Sequence, residues 1–345
     1  MCEHCVSAVL TPWQLERFCR LFNLQPSELE ANFNGWSKHV LLSRDMAFLF
    51  PRNPHFLNEF RRELALYEAF AHVDSIPLPK LVKRVKDKAI SYYEFAAVTR
   101  LSGVPFSQFI ETVSYEQFEK LLLALVEMIS RWHCIPQGEL PDVLPSRRGV
   151  TPKRTTVNNW HEKVLNAQTT EEAVDFIYRF VRRMSHPLLL PGALAHEADT
   201  KRRWVAVLSE LARLPDVLVH ADLHEESFLV DPSSLEITGI LDWEAARLDN
   251  PVWDFNFGEW GMGICRWFDS FAALRRRMWQ RYLETRGLSL STVEGVHLFY
   301  TLWEMIWMVL KRKDRAVIEL TGTDYETSVM MYLDRLDAVT ASPEP

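Results

Sequence analysis

The chain has 345 residues and a net charge of −7, from 39 Lys and Arg against 46 Asp and Glu. Its length favours one large domain or two lobes, and 48% apolar against 25% charged residues supplies a large core and excludes global disorder. A protein that neutralises duplex phosphates carries a basic excess, so no nucleic-acid partner is expected; the acidic balance suits solubility or a cationic ligand. The five cysteines (Cys2, Cys5, Cys19, Cys134 and Cys265) are odd in number and irregularly spaced, which suggests no disulfide framework and fits a reducing, cytoplasmic setting. Cys2 and Cys5 form a CxxC pair around His4, but zinc needs about four ligands and no second pair exists. No basic stretch followed by a long apolar one opens the chain, so no signal peptide is expected.

In chain order, Thr11-Pro12-Trp13-Gln14 predicts a capped helix running to about Phe22, and Asn34-Gly35 a turn. Residues 40–42 and 46–50 predict two short strands joined at Ser43-Arg44-Asp45. A charged amphipathic helix follows over Phe56 to Phe70, then an extended crossing at Pro77 and Pro79. Lys83 to Lys88 suggests a solvated loop. Ile90 to Leu101, rich in aromatic and β-favouring residues, predicts strands. After Gly103-Val104-Pro105 the character changes to helical periodicity over 115–132, 171–184, 200–214, 268–286, 293–311 and 324–336. Arg275-Arg276-Arg277 suggests an exposed helix face. The apolar stretch Leu298 to Leu310 is too short for a membrane span of ~20 residues, so a buried helix and no membrane contact are expected. One β island interrupts the helices: 217–220, then 228–230 and 237–241 as a hairpin around Asp231-Pro232-Ser233-Ser234. The expected organisation is a β-rich part over 1–103 and a larger helical part over 104–345.

Chemistry concentrates on that island. Asp222 stands in His220-Ala221-Asp222-Leu223-His224-Glu225-Glu226-Ser227, Asp242 in Leu241-Asp242-Trp243-Glu244, and Asp254 in Pro251-Val252-Trp253-Asp254. Each Asp ends, or just follows, an apolar strand. A strand end holds a carboxylate rigidly while the adjoining loop exposes it, as phosphoryl transfer requires: one carboxylate orients the attacking hydroxyl and accepts its proton, and another holds Mg²⁺ on the phosphates.

HADLHEESFLVD followed by GILDWEAARLDNPVWDF resembles the aminoglycoside phosphotransferase family, whose usual pattern reads H-G-D-L-H-x-x-N-x-L-V-D, then G-x-I-D-W-E, then G-D-P-x-x-D. NGWSKHVLL and MAFLFPR resemble the first strands of its nucleotide lobe, Phe60-Arg61-Arg62-Glu63 the start of its helix, and Ser75 to Pro79 its V-P-x-P crossing. Thr99-Arg100-Leu101-Ser102-Gly103 resembles its adenine-binding hinge, and Arg131-Trp132-His133 a helix ending in L-H. The resemblance runs over about residues 30–260. It implies an α+β, protein-kinase-like bilobal fold with a small β-rich lobe that binds nucleotide and a larger, mainly helical catalytic lobe. It also implies a small-molecule kinase using ATP or GTP with Mg²⁺. Asp222 is then the catalytic aspartate and Asp242 the main magnesium ligand. His220 braces the loop, and Glu63 pairs with a nucleotide-binding lysine; apart from the resemblance, His224 and Asp254 are expected to support the loop. Thr99, Arg100 and Leu101 lie against the base. The acidic loop favours an amine-bearing, cationic acceptor, with Glu225, Glu226, Glu244 and Trp260 as candidate contacts.

Two positions depart from the pattern. Ser227 stands where the family has a metal-binding Asn, offering one oxygen on a shorter side chain. Leu49 stands where the strand should carry Arg or Lys, so Glu63 is expected to lack its partner, and Arg52 replaces the missing cation only if Pro51 turns it inward. One lost charge-assisted phosphate contact costs about 1.5–3 kcal/mol. Two alternatives therefore stay open: a pseudokinase that binds a ligand or partner without phosphorylating it, and an enzyme reusing the site for other chemistry with Asp222 as general base.

Overall fold

The computed structural model describes residues 9–32, 35–110, 112–146, 155–184, 197–255, 268–290 and 293–311. The CxxC pair, Cys265, Trp260 and the helix expected over 324–336 lie outside the described residues. The elements run α1 (Pro12–Phe22), β1 (Glu30–Asn32), β2 (Lys38–Leu42), β3 (Met46–Pro51), α2 (Leu57–Ala69), β4 (Leu81–Val85), β5 (Phe95–Thr99), β6 (Val104–Pro105) and α3 (Tyr115–His133). They continue with α4 (Trp160–Val164), α5 (Thr170–Met184), α6 (Glu197–Ala212), β7 (Val217–Val219), β8 (Phe228–Val230), β9 (Ile237–Ile240), β10 (Arg247–Asp249), α7 (Phe268–Arg286) and α8 (Glu294–Lys311). Their contacts form two units. One holds Met1–Phe109, Ile135–Pro145 and Glu225–Arg247, the other Ile110–Cys134, Ser146–His224 and Leu248–Pro345.

In the first unit five antiparallel strands stand in the order β1-β2-β3-β5-β4. Strand side chains alternate between faces, and residues paired across strands share a face. The pairs His39↔Phe50 and Leu41↔Phe48 therefore face one way, and Lys38↔Pro51 and Val40↔Leu49 the other. The first face carries the core, in which Phe48, Phe50 and Phe95 pack with Phe18 of α1. Phe50 stacks on Phe95 at 4.5 Å and Phe18 meets Phe48 edge-on at 4.7 Å. α1 lies where the sequence places it because Thr11 and Gln14 close a capping box, Pro12 opens the first turn, and Asn23 ends the helix in a left-handed conformation (φ 54°).

Two expectations change here. Lys83 and Arg84 belong to the edge strand β4 rather than a loop, and their exposed charges guard an edge that would otherwise pair with another chain. Of 90–101 only Phe95–Thr99 is strand, because the Asp87 carbonyl accepts from the amides of Ile90 and Ser91 and turns the chain before it. α2 buries Phe60, Glu63, Leu64 and Tyr67 along one stripe, a helical spacing that places a carboxylate among apolar side chains. The same unit holds the small sheet β6-β8-β9, with Val104 paired to Val230 and Phe228 to Ile240. Gly103 (φ 98°) joins it, and a Cβ there would lie 2.8 Å from the Val230 carbonyl oxygen.

The second unit is mainly helical. α3 starts at a Ser114–Gln117 capping box and buries Phe118, Leu121, Leu122, Leu125, Ile129 and Trp132. Abundant tryptophan serves packing: Trp160, Trp253, Phe299 and Trp303 form a ring cluster with centroids 5.5–5.9 Å apart in neighbouring pairs. The arginine run is not one exposed face. Arg275 is buried with its guanidinium 5.0 Å over the Tyr300 ring, while Arg276 pairs with Glu294 and Arg277 with Glu119. Successive helix residues project about 100° apart, so three in a row cannot share a side. Among the described residues no helix is long and apolar enough to cross a membrane.

Candidate active site

In the first unit three elements bring four charged side chains together. Lys38 opens β2, Glu63 lies on the buried stripe of α2, and Asp242 and Glu244 lie on the turn after β9. The Lys38 Nζ is 2.5 Å from Glu63 Oε2, 2.7 Å from Asp242 Oδ1 and 3.0 Å from Glu244 Oε2. Tyr67 donates its hydroxyl to the other Glu63 oxygen at 2.7 Å. Ser37 donates to Glu244 at 2.5 Å, and Arg62 donates to the Glu244 carbonyl at 2.7 Å. Asp242 holds a left-handed conformation (φ 66°) that turns the chain out of β9, while the buried Trp243 anchors the turn by donating its indole N–H to the Ile240 carbonyl.

Burial alone would lower the Lys38 pKa; Glu63, Asp242 and Glu244 outweigh it and hold the ammonium above its ordinary range. Burial pushes the Glu63 carboxyl up, against the pull of Lys38 and with the push of Asp242. Burial and Glu63 also raise the Tyr67 phenol, which keeps its proton for the hydrogen bond. Three carboxylates around one ammonium leave a surplus of negative charge. One oxygen each from Glu63, Asp242 and Glu244 lie within 4.8 Å of one another, a hard-oxygen set that suits a divalent cation such as Mg²⁺. Asp242 is the most exposed of the three carboxylates.

The expectation that Glu63 lacks a basic partner is corrected: Lys38 is that partner. The family's pattern hides it, because that pattern reserves the cation for position 49, between Phe48 and Phe50. The legible signal was the alternation of Lys38 with Val40, which puts Lys38 on the same face as Leu49. Arg52 does not replace it. Its Nε reaches His39 Nδ1 at 3.4 Å, and His39 faces the opposite side of the sheet with Phe50.

Arg100 directs its guanidinium to the Ser43 carbonyl and its amide to that of Asp45, while Thr99 exchanges hydrogen bonds with the Lys80 backbone. Leu101 packs over Gly239, where a Cβ would lie 2.7 Å from its Cδ1. Ser227 is buried and its carbonyl accepts from the Leu241 amide at 2.7 Å, which ties β8 to the residue before Asp242. Glu225 is half-buried, with its carbonyl accepting from the Ser107 amide, and Glu226 is exposed.

In the second unit the segment 220–222 is held by a buried carboxylate. Asp254, fully enclosed, accepts the amides of His220 (3.0 Å) and Ala221 (2.8 Å), the indole N–H of Trp132 (2.8 Å) and His133 Nε2 (2.9 Å). Burial would raise its pKa, but His133 and the amides hold it below the ordinary carboxylate range. Burial lowers the His133 pKa despite Asp254, which favours the neutral ring. Its Nε2 proton goes to Asp254 and its Nδ1 accepts from the Tyr282 hydroxyl at 2.9 Å. The Asp222 amide donates to His220 Nδ1 at 3.3 Å, which leaves the Asp222 side chain exposed on a fixed backbone. His224 is half-buried. Sequence reasoning named Asp254 and His220 as supports but missed Tyr282, which comes from a helix 149 residues beyond His133.

An antiparallel sheet with a buried Lys–Glu pair, joined in one chain to a helical unit carrying an Asp on a braced loop, defines the class of kinase-like phosphotransferase folds. The chain belongs to the phosphotransferase enzyme family (APH), whose model matches residues 34–290. Among solved structures it resembles the GDP complex of wild-type aminoglycoside 2'-phosphotransferase-IIIa, at TM-score 0.57 and 16% identity over 95% of this chain and 98% of that one. It also resembles the GDP and kanamycin complex of APH(2")-IIIa, at TM-score 0.55 and 16% identity over 95% and 99%. A protein of Ralstonia eutropha JMP134 assigned to the aminoglycoside phosphotransferases matches at TM-score 0.54 and 14% identity, over 95% and 99%. At these identities the likeness carries the fold. A search of curated proteins finds no match.

Proposed function

We propose that the protein transfers the γ-phosphoryl group of ATP or GTP to a hydroxyl of an amine-bearing small molecule. In this reading Asp222 accepts a hydrogen bond from the acceptor hydroxyl, aligns it and takes its proton as the new P–O bond forms. Asp242 holds Mg²⁺, with the Ser227 hydroxyl or a water beside it. The metal, when bound, neutralises charge on the phosphates. Thr99, Arg100 and Leu101 border the base. Glu225 and Glu226 attract the cationic acceptor. Glu244 is better assigned to the lysine cluster than to the acceptor, because Lys38 and Ser37 both hold its Oε2. The observation that carries the reading is Asp242 on the same amine as the buried Glu63, in a chain of the phosphotransferase family.

The test is nucleoside diphosphate release with Mg²⁺, ATP or GTP, and a panel of amino alcohols and aminoglycosides. Turnover with at least one acceptor is expected, and Asp222→Asn should lower it about 100-fold or more, the scale of a positioned general base, while nucleotide still raises the melting temperature. Absence of both turnover and a nucleotide-dependent shift in the parent protein would overturn the proposal.

A further inference from the structure

We infer that Lys38 is the residue that grips the donor's phosphates, and that this chain supplies from β2 the cation its relatives' pattern puts at position 49 of β3. The inference rests on the proposed nucleotide-dependent function. Lys38 lies on the face of the sheet away from Phe18, with Val40, Leu49 and Pro51. Val40 pairs directly with Leu49 and Lys38 with Pro51, so positions 38 and 49 are diagonal neighbours on adjacent strands, within reach of one long side chain. Leu49 is buried beside it and carries no charge. The register therefore lets either strand provide the cation.

The surroundings fit an amine that binds an anion. The Lys38 side chain is 11% exposed and meets three carboxylates. Glu63, buried and hydrogen-bonded to Tyr67, fixes the stem, while Glu244 and Asp242 are the more accessible partners. A phosphate oxygen arriving with its metal replaces one of these carboxylates on the ammonium, so the amine stays paired throughout. The turn before β2 sets where the amine stands. A Cβ on Gly35 would lie 2.7 Å from the Lys38 carbonyl oxygen, and Ser37 is hydrogen-bonded to Glu244, so the turn, the lysine and the acidic turn after β9 are tied to one another.

The experiment moves the cation back. Affinities for Mg–ATP and Mg–GTP, and for the corresponding nucleosides without phosphates, are measured by calorimetry on the full chain and on Lys38→Met, Lys38→Met with Leu49→Lys, and Lys38→Met with Glu63→Gln. The last variant removes a buried carboxylate together with the amine, which keeps a folded comparison if Lys38→Met alone destabilises the protein. Loss of the amine is expected to weaken triphosphate binding about 10–100-fold, the worth of one charge-assisted phosphate contact, and to leave nucleoside binding unchanged. Leu49→Lys is expected to restore most of the triphosphate affinity. Triphosphate binding at the parent level in both lysine-free variants, or no recovery in the folded Leu49→Lys variant, overturns the inference while leaving the phosphotransferase reading intact. Failure of the parent protein to bind either triphosphate overturns that reading, and this inference with it.

Discussion

At the scale of single residues, the second unit shows what holding the 220–222 segment in place costs. Ala221 has φ 66°, a left-handed conformation that disfavours any Cβ by about 1–2 kcal/mol; its amide is held there by Asp254. Ala221→Gly should raise stability by about 1 kcal/mol in denaturant titration, and a drop would show that the alanine methyl makes contacts worth more than the strain. Asp254→Asn should lose about 1–3 kcal/mol, because it leaves buried donors without a full set of acceptor oxygens. The pH dependence has one sign for both partners. The Asp254 pKa is lowered, so its stabilisation is present above the ordinary carboxylate pKa and is lost as pH falls through the folded value. The His133 pKa is also lowered, so protons favour the unfolded chain once pH drops below about 6.5. Stability should therefore fall on acidification, starting near pH 6.5 and steepening in the carboxylate range. The dependence should flatten in Asp254→Asn, as followed by unfolding midpoints from pH 8 to 3.

At the scale of elements, caps and registers decide the outcome. Ser114 accepts the Gln117 amide and Gln117 returns a side-chain oxygen to the Ser114 amide, satisfying two groups the first turn of α3 would leave open. Ser114→Ala should cost about 1 kcal/mol, read as a shift in melting temperature with unchanged nucleotide binding. Capped helices such as α1 and α3 were legible because their signals are local. β4 and the arginine run of α7 are not legible from composition, because charge alone does not distinguish a solvated loop from a charged edge strand, or an exposed face from one turned partly inward. Lys38 belongs to this scale as well. Its pairing follows from strand register, and register is a relation between two segments that a residue-by-residue scan for a basic β3 position passes over.

At the scale of the whole molecule, the chain alternates between its two units, and one change falls within 220–227: Asp222 and His224 belong to one unit, Glu225, Ser227 and Asp242 to the other. The β8–β9 hairpin joins the first unit because β6 pairs with β8, although it follows the helical segments in sequence. Under the proposed function, ATP or GTP with Mg²⁺ at about 100 times Kd should stabilise the protein by about 2.7 kcal/mol, and chelating the metal should remove most of that gain; an unchanged melting curve on chelation would argue that Asp242 holds no metal.

The order of residues alone carried the resemblance to the family, through the motifs around Asp222, Asp242 and Asp254, and it determined the alternation from strands to helices, because apolar periodicity and turn chemistry are written locally along the chain. It also determined that Ser227 and Leu49 break the family's pattern. The folded structure decided what the second of these breaks means. Glu63 and Lys38 are 25 residues apart and belong to a helix and a strand, so only packing α2 beside the sheet reveals that the carboxylate is paired. A buried charge settles on whichever neighbour the fold brings within hydrogen-bond reach, and that neighbour need not stand at the position a linear motif reserves for it.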